Sequence, residues 1–162
     1  MNEIDFLPIK LLITLNFTSA TPSKSSLFLQ ARHGLRQRRL QRIRAGNRET
    51  ASYVMEQGRI RFVLTTPLGP DQRIARQVHL HGDGVGVVAL EVPDAESAYH
   101  ETIKRGATGA IKPTEMADEY GVLRYSAIQA YGDTLIKFVD RSGYRTACCA
   151  WLSASGRCAA IR

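Results

Sequence analysis

The sequence predicts an α+β fold built on a β-α-β-β-β module, complete over about residues 85–140, with part of another module over about 51–65. Three observations carry that expectation. The run VGVVALEV at 85–92 is nearly continuously apolar and reads as a strand buried on both faces. A helix with both its start and stop signals follows at once, between Pro93 and Gly106. After it come strand-like runs separated by turns rather than a second long helix.

Within the helix, Asp94 is placed to cap the N-terminus, and Glu96 and Ser97 fall in the first turn. Ala95, Ala98, Tyr99 and Ile103 form its apolar stripe, Lys104 and Arg105 suit the C-terminal end of the dipole, and Gly106 closes it. A short strand is predicted over 109–112, stopped by Pro113 and followed by an acidic loop with Glu115, Asp118 and Glu119. Residues 122–130 and 134–140 then read as paired strands about the turn Tyr131-Gly132-Asp133. In the second of them Thr134, Ile136 and Phe138 share one face, and Leu135, Lys137 and Val139 the other.

Upstream, 51–56 and 60–65 are two β-type runs with Gln57-Gly58 as the hairpin turn, ended by Pro67, Gly69 and Pro70. A short helix is expected over 71–81, with Asp71 as its cap and Ile74 and Val78 on one face.

The flanks differ in texture. The chain of 162 residues carries a formal net charge of +7, but 46–144 holds eleven Lys/Arg against thirteen Asp/Glu. The basicity belongs to the ends. Arg32, Arg36, Arg38, Arg39, Arg42 and Arg44 fall within thirteen residues, and no acidic residue lies between Asp5 and Glu49. Cys148, Cys149 and Cys158 all lie in the last fifteen residues. Such lopsidedness is what a shifted reading frame produces, so 1–45 is read as an atypical basic segment, 46–144 as the organised domain and 145–162 as an atypical cysteine-containing tail. No aromatic residue interleaves the arginines to stack on bases, which argues against nucleic acid as a partner.

Little in the chain points to chemistry. His79 and His81 stand two apart, a spacing that sends them different ways on a helix, and no third ligand follows at motif distance. His100 belongs to a helix's polar pattern, and the acids Glu115, Asp118 and Glu119 read as a solvated loop. Three cysteines, two of them adjacent, match neither a disulfide framework nor a zinc spacing. The longest apolar-rich stretch, 6–17, is broken by Lys10 and too short to span a bilayer, and Glu3 and Asp5 make an acidic rather than a signal-type start. A cytoplasmic location with no membrane partner is expected.

The phrases GNRETASYVMEQGRIRFVLTTPLGP, HLHGDGVGVVALEVPDAESAYHETIKRGA and AIQAYGDTLIKFVDRSGY resemble the N-terminal domain of the 4-hydroxyphenylpyruvate dioxygenases, over roughly 46–144. The HGDGV and YGDT turns are the most specific matches. Hydroxymandelate synthase shares the architecture and is not separated from them by these motifs. The resemblance implies the vicinal oxygen chelate, or glyoxalase-like, fold and an Fe(II) enzyme of tyrosine breakdown. Such an enzyme turns 4-hydroxyphenylpyruvate, a 2-oxo acid, and dioxygen into homogentisate and carbon dioxide.

In that family two histidines and a glutamate of the C-terminal domain hold the iron. His79, His81 and His100 match none of those positions, so no catalytic, cofactor-binding or metal residue is assigned. The chain is expected to be a fragment that binds no iron and is inactive alone. One module with half of another would leave sheet edges unpaired, so a homo-oligomer or aggregate is expected. The alternative is a stand-alone small-ligand binding module of the glyoxalase or bleomycin-resistance type, which would need a whole second module.

Overall fold

A computed structural model describes residues 7–41, 50–57, 60–71, 73–118 and 121–144. The described residues form eight strands and three helices in the order β1 (Leu11–Thr18), α1 (Pro22–His33), β2 (Arg36–Gln41), β3 (Thr50–Gln57), β4 (Ile60–Pro67), α2 (Arg73–His81), β5 (Gly84–Glu91), α3 (Ala95–Lys104), β6 (Thr108–Asp118), β7 (Gly121–Gln129) and β8 (Leu135–Asp140). The chain divides into two compact units, with boundaries inside β1 and β5.

The first unit is a complete β-α-β-β-β module. β2 pairs antiparallel with β3, β3 antiparallel with β4, and β4 parallel with β1, giving the order β2-β3-β4-β1. The parallel pair requires a crossover, which α1, β2 and β3 supply. Leu35, Met55 and Leu64 are buried at its core, with Phe17, Leu29, Tyr53 and Phe62 packed around them.

This unit extends beyond the expected 51–65. Its strand, helix and second strand are found in 11–41, the stretch whose lack of acids made it look foreign. The sequence hid them for physical reasons. α1 has only a weak apolar stripe, with Leu27 and Phe28 exposed. β2, RQRRLQ, is an edge strand paired with β3 on one side, and an edge tolerates charged residues. Of the arginine run, Arg32 closes α1 and Arg36, Arg38 and Arg39 belong to β2, while Arg42 and Arg44 lie outside the described residues. Gly58, Glu119, Tyr120 and 145–162, with all three cysteines, lie outside them too.

The second unit repeats the topology. β5 pairs parallel with β8, β8 antiparallel with β7, and β7 antiparallel with β6, giving β5-β8-β7-β6. Val92, Ala95, Ala98, Ile128 and Phe138 form its buried cluster, and Leu90, Tyr99, Ile103 and Ile136 pack against it. Phe138 alone contributes roughly 2–3 kcal/mol of apolar burial. α3 is capped as its sequence predicts: the Asp94 carboxylate accepts from the Glu96 amide at 2.9 Å and the Ser97 hydroxyl at 2.6 Å. Thr102, absent from the expected stripe, is also buried, because its hydroxyl donates to the Ala98 carbonyl at 2.9 Å.

Two local expectations change. β6 does not stop at Pro113 but runs to Asp118, so Glu115 lies in a strand and not a loop. Its pairing with β7 is irregular between Ile111 and Thr114, and β6 is the edge strand of its unit. A proline there forfeits no ladder bond. On α2 the buried residues are Ile74 and Gln77, with Val78 half-buried.

Candidate functional site

The site is built by the turn after β1, the first turns of α1 and the strand β4, with one residue from the turn between α2 and β5. Together they surround a cavity of about 370 Å³. Phe17 of β1, Phe62 and Leu64 of β4, and Phe28 and Leu29 of α1 make its apolar wall. The Phe17 and Phe62 rings lie 5.5 Å apart, tilted by 44°. Thr18, Ser19, Lys24, Ser25 and Asp83 make the polar side. Lys24 has no ion-pair partner among the described residues.

Asp83 is the acid of the HGDGV phrase, and the structure shows what that phrase does. One carboxylate oxygen accepts from the Ser19 hydroxyl at 2.7 Å and the other from the Ala20 amide at 2.8 Å. Thr21, at the N-cap of α1, makes no side-chain cap bond of its own. Asp83 therefore does from 63 residues away what Asp94 does locally for α3. The glycines serve the same junction. Gly82 has φ of +72°, the Gly84 carbonyl accepts from the Thr18 hydroxyl at 3.3 Å, and a Cβ on Gly86 would come within 3.0 Å of the Thr18 side chain. The YGDT phrase is likewise a turn: Gly132 has φ of +54°, and its carbonyl accepts from Gln129 Nε2 at 2.6 Å.

On the opposite face of the same sheet the first unit carries buried polar groups that sequence reasoning missed. The Thr65 hydroxyl donates to Asn16 Oδ1 at 3.0 Å and pairs with the Ser52 hydroxyl at 3.0 Å. Thr14 is 1% exposed, and its hydroxyl finds no partner among the described residues. Alternation of small β-formers on β1, β3 and β4 was the available signal, but threonine and serine look the same there whether they face solvent or a sheet interior.

Among the described residues of the second unit, Lys137 is a buried cation. Lys137 of β8 lies over the Tyr125 ring, 4.0 Å from its centroid, and burial pushes its ammonium pKa down to about 8.

The residues with metal-ligand chemistry are not brought together. His79 and His81 are exposed on α2, and His100 is exposed on α3 with Glu96 at 3.9 Å. Glu115 pairs with Arg124 across β6 and β7 at 2.6 Å. Among the described residues no three His, Cys, Asp or Glu side chains converge as a metal site. The two-histidine, one-carboxylate set of a non-haem iron centre therefore does not fit them. Nor is any helix among them long and apolar enough to cross a membrane.

Residues 31–150 match the family profile described as hydroxyphenylpyruvate dioxygenase, HPPD, N-terminal. The chain belongs to the hydroxyphenylpyruvate dioxygenase family. It is 34% identical over 126 residues to the 4-hydroxyphenylpyruvate dioxygenase of Dictyostelium discoideum, covering 76% of this chain and 34% of that one. It is 31% identical over 137 residues to that of Tetrahymena thermophila, covering 81% and 34%. The chain thus spans about a third of the length of these dioxygenases.

Among solved structures, a variant of 4-hydroxymandelate synthase from Streptomyces coelicolor superposes with a TM-score of 0.77 at 22% identity, over 86% of this chain and 40% of that one. Methylmalonyl-CoA epimerase from Mycobacterium tuberculosis superposes at 0.65 with 14% identity, over 86% and 93%. At these identities the superpositions show the fold alone, the vicinal oxygen chelate fold.

Proposed function

We propose that this chain is the N-terminal scaffold of a 4-hydroxyphenylpyruvate dioxygenase. That Fe(II) enzyme would convert 4-hydroxyphenylpyruvate and dioxygen to homogentisate and carbon dioxide in tyrosine breakdown. In this reading residues 7–144 supply two modules, and the iron and the 2-oxo acid are held by chain of the C-terminal type. The observation that supports it is the match of 31–150 to the N-terminal part of the family. The described residues then contribute rigidity and surface rather than reacting groups.

The test is a pair of assays on the purified chain with Fe(II), ascorbate, 4-hydroxyphenylpyruvate and oxygen. The chain alone should form no homogentisate. Joined to the C-terminal domain of the Dictyostelium relative, it should form homogentisate at a rate that the C-terminal domain alone does not reach. Homogentisate from the chain alone, or no gain on joining, would overturn the proposal.

A second reading, a free-standing small-ligand binding module, is favoured by one observation. Both modules are complete, and the chain covers 93% of the epimerase it superposes on. Thermal stabilisation by a bound small molecule would support that reading.

A further inference from the structure

The polar groups that line the cavity of the first unit are bonded to one another. The Thr18 hydroxyl donates to the Gly84 carbonyl at 3.3 Å. The Ser19 hydroxyl donates to Asp83 at 2.7 Å, and the Ser25 hydroxyl donates to the Thr21 carbonyl at 3.3 Å and lies 3.2 Å from that of Ser19. Asp83 accepts through both oxygens. None of these groups needs a partner from a ligand.

The charges offset as well. Asp83 keeps its negative charge when it accepts from a hydroxyl and an amide, and Lys24, exposed in the same lining, carries a positive one. A ligand of either sign meets one charge that attracts it and one that repels it, and loses hydration on entering. What the cavity does offer is apolar wall: Phe17, Phe28, Leu29, Phe62 and Leu64, around about 370 Å³, a volume in the range of small-molecule sites. Phe28 stands 57% exposed, edge-on to the His33 ring at 5.8 Å, so part of that wall is open to a visitor.

We infer that the cavity takes an uncharged, mainly hydrocarbon molecule, such as a short alkyl chain, and disfavours a carboxylate or an amine of the same size. The site stands apart from the dioxygenase reading, whose homogentisate assay reads a different chemistry and a different, acidic substrate.

The probes are 1-hexanol, hexanoate and hexylammonium, one chain with three charges, each titrated at pH 7 into the full chain and followed by amide chemical shifts. For 1-hexanol, saturable shifts are expected at residues 17–29 and 62–64, with Kd on the order of 1 mM for the burial of six carbons. Both ions should bind about fivefold more weakly or worse. Phe28→Ala should weaken 1-hexanol about threefold. Lys24→Gln should leave 1-hexanol unchanged and strengthen hexylammonium about threefold, because Asp83 is then no longer offset. Both side chains are exposed, and an unchanged melting temperature would show that the variants fold. Hexanoate or hexylammonium binding the wild-type chain as tightly as 1-hexanol, shifts elsewhere, or no saturation would overturn the inference. So would shifts at Phe28 that track protein concentration instead of ligand, because a second copy would then be the occupant.

Discussion

Asp83 and Lys137 are the two residues whose charge the fold handles most deliberately. Asp83 closes a junction between segments more than sixty residues apart, through a hydroxyl and a backbone amide. Asp83→Ala leaves both donors without their acceptor and should cost about 2 kcal/mol in urea denaturation. Asp83→Asn, which keeps one acceptor oxygen, should recover part of that. Lys137 makes a different prediction. Its folded pKa of about 8 lies below the ordinary 10.5, so the unfolded chain binds more protons between those values. Stability should therefore rise as pH increases from about 8 to about 10.5. Lys137→Met should remove that slope. Neither role was legible beforehand. The sequence placed Lys137 on the correct alternating face with Leu135 and Val139 but could not say that this face is buried.

At the scale of elements, α3 and β6 show where sequence reasoning succeeds and where it fails. Every local signal of α3 agrees, from the Asp94 cap to the turn at Gly106, and the helix forms as read. Asp94→Ala should cost about 1 kcal/mol. Hydrogen bonding from the Ser97 hydroxyl, with help from the Glu96 and Ser97 amides, holds the Asp94 carboxyl below its ordinary 3.8. Its contribution is thus full above that pH and fades as pH falls through the lower, folded value. Comparing acid unfolding of wild type and Asp94→Ala by far-ultraviolet circular dichroism reads this directly: the two curves should converge at the acid end.

β2 and the continuation of β6 past Pro113 went unrecognised for a common reason. Both are edge strands, where Pro113 and a run of arginines are tolerated because only one side is paired. The periodicity that reveals a central strand is not required of an edge. The weak stripe of α1 left the first module without a helical signal, so only β3 and β4 could be read there. The candidate cavity was illegible for the same reason, since α1 forms one of its walls.

For the whole molecule, the account rests on two modules of one topology, each with its own four strands and core, in a chain that belongs to the hydroxyphenylpyruvate dioxygenase family. The glycine-rich phrases that carried the resemblance turn out to be the junctions of that architecture. Their specificity is structural, which is why they identify the fold better than they identify chemistry. The expectation of a half-built first module is replaced by a complete one whose first strand, helix and second strand occupy 11–41. The direct test is amide hydrogen exchange on the full chain at neutral pH, resolved by residue. β1, α1 and the paired amides of β2 should be protected to a degree comparable with β5, α3 and β7, because each is tied into a sheet or a helix of its own unit. If 11–41 exchanged at the rate of an unstructured peptide while 84–140 stayed protected, the first module would not exist as described, and the reading of this chain as a two-module scaffold would be contradicted.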